Sequence, residues 1–267
     1  MTENKPCFSV LQITDPHILA KPDSTLLGVN TAYYFNTVFK HALQSSRKFD
    51  LCLLTGDLAQ EPCRASYTYL LNTLQSCRIP CLCLPGNHDD FDIMQAVLNK
   101  GSVNCNKEQR LGNWQIVALN SQIRGSQGGH LSADELSFME RCLRDNTHLY
   151  TLIAVHHHCI PSGSQWMDTM MINNADEFLN RVNRYPQVKA IVNGHIHQVM
   201  ELDINAVKIL TTPSTCFQFK PDSENFSLDD TSPGYRWLEL YDDGTLISET
   251  VRIPENLEGL QKNNHGY

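Results

Sequence analysis

The chain has 267 residues, a length that one α/β domain can accommodate, and 41% of them are hydrophobic, which excludes a disordered chain. Lys and Arg number 21 against 29 Asp and Glu, and the net charge of -8 argues against broad electrostatic binding of nucleic acid or of an anionic membrane surface. No apolar stretch is long enough to span a bilayer and no apolar signal region follows Met1, so we expect a cytoplasmic protein.

Eight short apolar segments, several of them continuously apolar, are typical of buried strands. They are Phe8–Ile13, Leu51–Leu54, Cys81–Leu84, Trp114–Leu119, Thr151–Val155, Ala190–Val192, Val207–Leu210 and Trp237–Tyr241. Five segments with helical spacing lie between them, and Asn30 or Thr31 can cap the first and Ser132 the fourth. This alternation predicts an α/β fold with a mixed sheet.

The chain shows no internal repeat and no linker, so we expect a single domain over residues 1–267. Asp, Ser, Asn and Pro are frequent between Phe219 and Gly234, which predicts a long irregular loop there. A flexible tail is expected from about Asn256.

Polar side chains follow five of the predicted strands at the point where each strand ends. They are Asp15 and His17, then Asp57, then Asn87, His88 and Asp89, then His156, His157 and His158, and last His195 and His197. Such oxygen and imidazole groups are ligands for transition metals. In Asp-x-His and His-x-His, extended backbone directs both side chains the same way, and glycines at 56, 86 and 194 let the chain approach an ion closely.

Each of these pieces taken alone has an ordinary structural explanation. Asp15 or Asp57 alone is more often a cap or turn residue, and a run of histidines is more often solvated. Five occurrences, each at a strand terminus, are hard to assign to chance. The pattern therefore favours one shared site.

The same residues resemble the five signatures of the calcineurin-like metallophosphoesterases, in order and spacing. They are Asp15-x-His17, Gly56-Asp57, Gly86-Asn87-His88-Asp89, the run from His156, and Gly194-His195-x-His197. Further segments, among them Leu27–Asn30 and Pro213–Phe219, resemble the bacterial class III cyclic AMP phosphodiesterases, so the similarity covers nearly the whole chain. One departure is Cys159, which stands where proline usually follows the histidine run.

The resemblance implies a four-layer αββα sandwich, with two mixed sheets flanked by helices and a dinuclear metal site at one sheet edge. One ion would be held by Asp15, His17, Asp57 and His197, and the other by Asp57, Asn87, His156 and His195. Asp57 would bridge the two ions. Iron or manganese is expected from the family, and mixed imidazole and carboxylate ligands also suit zinc.

The activity implied is hydrolysis of 3′,5′-cyclic AMP to AMP by a hydroxide that bridges the two metals. Asn87 and His88 would be catalytic, with His88 beside the leaving oxygen. The residues expected to contact substrate are His17, Asp57, Asn87, His88, His156 and His197. Asp89, His157 and His158 are expected to support the ligands or the local structure.

Three other functions remain open from the sequence. The first is a broader phosphodiesterase acting on 2′,3′-cyclic nucleotides or glycerophosphodiesters. The second is a scaffold of the same fold without catalysis, and the third is a DNA-repair nuclease, which the lack of a basic surface disfavours. Trp166, Phe217 and Phe219 are candidates to stack on a base or simply to pack. The protein is expected to be a monomer or homodimer.

Overall fold

A computed structural model describes residues 8–262 and 266. Within that range the strands are β1 (Phe8–Ile13), β2 (Leu51–Thr55), β3 (Cys81–Leu84), β4 (Val103–Asn104), β5 (Glu108–Leu111), β6 (Trp114–Leu119), β7 (Tyr150–Val155), β8 (Val188–Asn193), β9 (Glu201–Ile204), β10 (Val207–Thr211), β11 (Gln218–Phe219), β12 (Leu228–Asp229), β13 (Gly234–Leu240) and β14 (Leu246–Arg252). The helices are α1 (Thr31–Gln44), α2 (Arg64–Ser76), α3 (Phe91–Leu98), α4 (Ala133–Asp145), α5 (Gln165–Asp168) and α6 (Ala175–Val182).

Two mixed sheets of six strands form the centre of the fold. The first has the order β14-β13-β1-β2-β3-β4, in which β1 to β4 run parallel to one another and β13 pairs antiparallel with both β1 and β14. The second has the order β5-β6-β7-β8-β10-β9, parallel from β6 to β10 with an antiparallel strand at each edge. The predicted mixed sheet architecture is confirmed.

Alternating side chains on each buried strand separate three apolar layers. On β2, Leu51 and Leu53 pack between the two sheets, whereas Cys52 and Leu54 pack under α1, α2 and α3. On β7, Ile153 and Val155 pack under α4 and α6. Because strands repeat every two residues, a run covered on both faces must be apolar throughout, as the sequence showed. The result is the predicted four-layer order of helix, sheet, sheet and helix.

The eight predicted strands and five predicted helices are all present. Asn30 caps α1 by accepting from the Tyr33 N–H, and Ser132 caps α4 by accepting from the Glu135 N–H. The prediction missed α5 and six strands. Of those strands, β4, β11 and β12 have only two residues, and β5 and β9 are polar edge strands without an apolar run.

The two segments predicted to be irregular contain local structure. Gln218–Phe219 pairs antiparallel with Leu228–Asp229 inside the expected loop. Beyond Asn256, the Tyr34 hydroxyl donates to the Asn256 carbonyl and accepts from the Glu258 N–H, and Leu257 and Leu260 pack on the core beside α1. Flexibility of this segment stays a prediction. Among the residues described, none of the helices has the length and apolar character to cross a bilayer.

Candidate metal centre

The side chains predicted from five strand ends lie together at one edge of the two sheets. β1, β2 and β3 run parallel in the first sheet and β7 and β8 in the second, so their carboxyl ends meet there. The Asp15 N–H donates to the Gly56 carbonyl at 3.1 Å, and His156 Nδ1 lies 2.8 Å from the Thr55 carbonyl oxygen. The second contact joins the end of β7 to the end of β2, so one site spans both sheets.

Asp15, His17 and His197 form one group at this edge. Their ligand atoms all lie within 4.8 Å of one another. His197 Nε2 is 3.4 Å from Asp15 Oδ1 and 3.2 Å from His17 Nε2. All three residues are fully buried, although each carries a polar or ionisable group. Such groups need a strong partner away from water.

Asp57 lies between this group and a second one. Its Oδ2 is 3.8 Å from His17 Nε2 and 3.4 Å from His156 Nε2. Asn87 Oδ1 is 3.1 Å from His156 Nε2, and the ring centroids of His156 and His195 are 5.0 Å apart. One carboxylate thus contacts both groups, and the seven side chains predicted as ligands form a continuous cluster.

Hydrogen bonds on Nδ1 orient three of the four predicted histidine ligands. The acceptors are oxygen atoms 2.8 Å away: Gln60 Oε1 for His17, Thr55 O for His156 and Phe217 O for His197. Because these oxygens only accept, Nδ1 carries the proton and Nε2 of a neutral ring presents a lone pair. The Nε2 atoms of His17 and His197 face each other at 3.2 Å, and a cation between such lone pairs relieves their repulsion.

His195 completes this donor set from the other side. It is only 5% exposed, and its Nε2 makes no hydrogen bond to any residue that the structure describes. Its backbone N–H donates to Asp15 Oδ2 at 3.1 Å, which holds the two loops together. A buried nitrogen without an acceptor or donor is unusual in a native protein. Together with the facing lone pairs, it shows that these residues fit transition-metal ions.

The protonation preferences of the cluster suit cation binding. Burial lowers the pKa of His17 to about 3 and holds that of His195 well below its ordinary value. Burial alone would raise the pKa of Asp57, but the neighbouring histidines outweigh it and bring the pKa well below its ordinary value. Unprotonated imidazoles and ionised carboxylates are the forms that bind metals, and His17, His195 and Asp57 fit this rule. His156 is the exception: burial lowers its pKa but Asp57 outweighs burial and raises it to about 9, so a cation at this position must displace the proton of that ring.

Five of the seven predicted ligands have left-handed backbone, including the four of the Asp-x-His and His-x-His pairs, for which extended backbone was expected from the sequence. Their φ values are 52° for Asp15, 46° for His17, 49° for Asp57, 67° for His195 and 48° for His197. The expectation was wrong because the chain must curl around the site instead of running past it. Left-handed φ costs roughly 1–2 kcal/mol for a residue with a Cβ. Such strain collects at functional sites.

The three neighbouring residues that were not expected to be ligands make contacts of another kind. His157 Nδ1 is 2.7 Å from Ser121 Oγ and its Nε2 is 3.2 Å from the Gln127 carbonyl, so both ring nitrogens have protein partners. His158 Nε2 is 3.4 Å from Asp168 Oδ1, an ion-pair distance, although neither ring nitrogen of His158 makes a hydrogen bond to a residue that the structure describes. These contacts support a structural role for His157 and His158, although His157 lies close enough to His156 and His195 to form a group with them.

Asp89 anchors the loops on which Asp57 and Asn87 lie. Its carboxylate accepts from the backbone N–H groups of Leu58, Ala59 and Gly86 at 2.9–3.0 Å and from the Tyr67 hydroxyl at 2.9 Å. Burial and the charge of Asp57 nevertheless raise the pKa of Asp89 to about 7. Four donors saturate the two oxygens of a carboxylate, so Asp89 has little capacity left for an ion.

A polar network between the sheets was missed by the sequence analysis. Gln12 Nε2 donates to Thr55 Oγ1 at 3.0 Å and to the Asn193 carbonyl at 3.3 Å, and Gln12 Oε1 accepts from the Thr212 hydroxyl at 2.7 Å. Arg236, fully buried, donates to Thr212 Oγ1 at 3.3 Å. The available signal was a glutamine inside an otherwise apolar strand. The network fixes the ends of β1, β2 and β8 just below the cluster.

Thr14 and Asp15 pack so closely against Gly194 that no larger residue fits at this position. A Cβ at this position would lie 2.0 Å from Thr14 Oγ1 and 2.5 Å from Asp15 Oδ2. We expect Gly194→Ala to displace Asp15 and to lower kcat/KM for the expected hydrolysis of cyclic AMP by about 100-fold. The substitution should also lower the free energy of unfolding by about 1–3 kcal/mol. Gly128→Ala is the control, because its nearest contact would be an ordinary 3.7 Å to Met170 Cα. Equal activity and melting temperature in both variants would contradict the expectation.

Cys159, the departure from the family pattern, packs in the core under α4 and α6 and is 2% exposed. Burial raises the pKa of its thiol to about 12.

Cys63 is half-buried and precedes α2, and a hydrogen bond from the Ser66 N–H lowers the pKa of its thiol, in contrast to Cys159. We expect iodoacetamide at pH 8 to modify Cys63 more than about 100-fold faster than Cys159, because the thiolate is the reactive form. Peptide mass spectrometry, with Cys63→Ser as control, measures both rates, and rapid labelling of Cys159 would contradict its role in packing.

Comparison with known proteins agrees with the family resemblance. A family model for calcineurin-like phosphoesterases matches residues 8–199, which include all seven predicted ligands. The 3′,5′-cyclic adenosine monophosphate phosphodiesterase CpdA of Escherichia coli strain K12 is 42% identical over 247 residues, covering 92% of this chain and 90% of that protein. A 3′,5′-cyclic-nucleotide phosphodiesterase of Nostoc sp. is 38% identical over 257 residues, covering 96% of each.

Among solved structures, a dimetal phosphatase from Danio rerio superposes with a TM-score of 0.69 at 13% identity, covering 95% of this chain and 98% of the other. At that identity the match concerns the fold alone. The sandwich of two mixed sheets and the resemblance drawn from the five motifs are both confirmed. The chain belongs to the calcineurin-like phosphoesterase family.

Proposed function

We propose that this protein hydrolyses 3′,5′-cyclic AMP to AMP at a dinuclear metal centre. The relatives from Escherichia coli and Nostoc are cyclic nucleotide phosphodiesterases by name, and this chain spans at least nine-tenths of each. The observation on which the proposal rests is the position of Asp57. Its carboxylate contacts His17 in one group of ligands and His156 in the other, as a bridging ligand must.

The proposed ligands divide into two sets that share one residue. They are Asp15, His17, Asp57 and His197 for one ion, and Asp57, Asn87, His156 and His195 for the other. When bound, two metal ions supply an activated water at neutral pH and neutralise charge that develops on the phosphate. Carboxylate and imidazole donors suit iron and manganese, which we propose, as well as zinc.

Asn87 and His88 are the proposed catalytic residues on the substrate side. Both are half-buried, whereas the other six proposed ligands are buried, and both line a cavity beside the cluster. The amide N–H groups of Asn87 can donate to a phosphate oxygen while its Oδ1 faces His156. His88 would donate a proton to the departing 3′-oxygen. We propose that His17, Asp57, His156 and His197 also contact the bound phosphate.

The charge of the whole chain does not oppose an anionic substrate. The net charge is -8, but the field a few ångströms from two bound cations would be positive. A phosphodiester carries one negative charge and reaches the site through the cavity beside Asn87 and His88. Long-range steering is therefore not required for binding.

The proposal is tested by elemental analysis and hydrolysis assays on the same preparation. We expect two equivalents of iron or manganese per chain and a higher kcat/KM for 3′,5′-cyclic AMP than for cyclic GMP, 2′,3′-cyclic AMP, a glycerophosphodiester or bis-p-nitrophenyl phosphate. A metal-loaded sample that leaves cyclic AMP intact and cleaves the other diesters would favour the broader phosphodiesterase. A folded sample that binds no metal would favour the scaffold.

A further inference from the structure

A cavity of about 290 Å³ opens beside the metal centre, and both polar and apolar side chains line it. Asn87, His88 and His195 line the side that adjoins the centre. Trp166, Phe219 and Phe226 supply aromatic lining. Ligand pockets for small molecules start at roughly 300 Å³ and combine apolar walls with a few polar groups. The cavity is therefore sized for a small molecule that touches the centre at one end.

The three aromatic rings that line the cavity meet edge to face. Trp166 is 5.0 Å from Phe219 at 89° and 5.3 Å from Phe226 at 70°, and Phe219 is 5.7 Å from Phe226 at 67°. Phe219 also stacks on the ring of His197 at 4.3 Å and 23°. This aromatic wall, formed by Trp166, Phe219 and Phe226, is thus fixed directly to a proposed metal ligand.

Short polar contacts hold the helix that carries Trp166. Asp168 lies 3.4 Å from His158 Nε2 and accepts from the backbone N–H of Ser162 at 2.7 Å. The Thr169 hydroxyl donates to the Trp166 carbonyl at 2.6 Å. His158 in turn stacks on His195, with ring centroids 5.6 Å apart. Because α5 is tied to the histidine run, the indole has a set position relative to the centre.

A polar side chain suited to a heterocycle lines the same cavity. Gln127 is exposed there, so its amide can both donate and accept. A flat ligand with apolar faces and polar atoms at its edge matches the aromatic rings and this amide together.

Phe217, which the sequence also suggested as a stacking residue, lies elsewhere. It is fully buried and stacks on His17 at 5.6 Å and 26°. Its carbonyl accepts from His197 Nδ1. Phe226, in the segment expected to be an irregular loop, takes the place on the cavity wall.

We propose that this cavity is the subsite for the purine base of the substrate, with Trp166 as its principal stacking residue. The inference rests on the proposed function, since it assumes that a nucleotide places its phosphate at the centre. The base then lies against the aromatic wall, and the ribose spans the distance past Asn87 and His88. Base stacking on an aromatic side chain is sequence-tolerant and strong enough to set affinity.

The test compares two inhibitors that differ only by the base, AMP and ribose 5-phosphate. Inhibition constants are measured on metal-loaded enzyme with bis-p-nitrophenyl phosphate as the reporter substrate, so they do not depend on turnover of cyclic AMP. We expect AMP to bind wild type at least about 10-fold more tightly than ribose 5-phosphate, as loss of one stacked base implies. Trp166→Leu should reduce this ratio to below about 3, and Trp166→Phe should restore part of it.

Binding without turnover gives an independent readout. Quenching of tryptophan fluorescence by AMP should be larger than quenching by ribose 5-phosphate in wild type and absent in Trp166→Leu. Tyr33→Leu, an exposed aromatic on α1 that contacts Glu255, is the matched control and should keep the wild-type ratio. Thermal melts establish that each variant is folded.

Two results would overturn the base subsite. They are equal inhibition constants for AMP and ribose 5-phosphate in wild type, or a Trp166→Leu ratio equal to that of wild type. The proposed function fails on a different result, namely intact cyclic AMP after incubation with metal-loaded wild type. An AMP preference that depends on Trp166 would still stand in that case as a nucleotide site.

Discussion

Asp57→Asn is expected to lose bound metal and to lower kcat by at least about 100-fold. Loss of a residue that only supports a metal ligand costs up to about 100-fold, and loss of a ligand should cost no less. The side chain contacts both ligand groups, at 3.8 Å from His17 Nε2 and 3.4 Å from His156 Nε2. Asparagine keeps the shape of aspartate but removes the charge that both ions would share. Elemental analysis and a hydrolysis assay on the same sample measure the two losses.

The choice of asparagine separates loss of charge from backbone strain. Asp57 has φ 49°, a conformation that Asp and Asn tolerate better than Ala. Asp57→Ala should therefore show the same metal loss with a lower melting temperature in addition. Asp242→Ala, at an exposed position, is the control. If Asp57→Asn retained two equivalents of metal, the bridging role would have to be abandoned.

The features that sequence alone predicted share one property, which is that they are local. The apolar runs of β2 and β3 and the polar residues directly after them are read over fewer than ten neighbouring positions. Parallel strands then bring those ends to one edge without further information. For this reason Asp15, Asp57 and Asn87 could be placed at a common site, although the distances between them could not.

The features that were missed depend on contacts between distant parts of the chain. Gln60 orients His17 from 43 positions away, and Thr212 bonds Gln12 from 200 positions away. No spacing rule connects such pairs. The left-handed backbone of the ligands was missed for a related reason, since contacts with neighbouring loops from distant parts of the chain accompany that conformation. The hydrogen bond from the Asp15 N–H to the Gly56 carbonyl, between the loops after β1 and β2, is an example.

The aromatic wall illustrates the same limit on the substrate side. Trp166 lies on a helix of only four residues, and Phe226 lies between two strands of two residues each. Neither element has a periodic pattern that a sequence window detects. Their common position depends on α5 being tied to the histidine run through Asp168, which is visible only once His158 is placed.

His88→Ala is expected to lower kcat for cyclic AMP by about 100- to 10,000-fold, the range for loss of a general acid, while leaving metal content near two. The reason lies in the contact to Asp57. The backbone N–H of His88 donates to Asp57 Oδ1 at 2.9 Å, and alanine retains that N–H. The ring itself lies edge-on to His17 at 5.2 Å and lines the cavity.

A second substrate distinguishes proton donation from a general disturbance of the site. The p-nitrophenolate leaving group of bis-p-nitrophenyl phosphate needs far less protonation than the 3′-alkoxide of ribose, so its hydrolysis should fall much less in His88→Ala. The exposed His148→Ala is the matched control and should behave as wild type on both substrates. Because the ring of His88 also lies within 4.8 Å of ligand atoms of His17 and Asp57, loss of metal in His88→Ala would reassign it as a ligand. Equal losses on both substrates with metal retained would mean that His88 positions the phosphate and does not protonate the leaving oxygen.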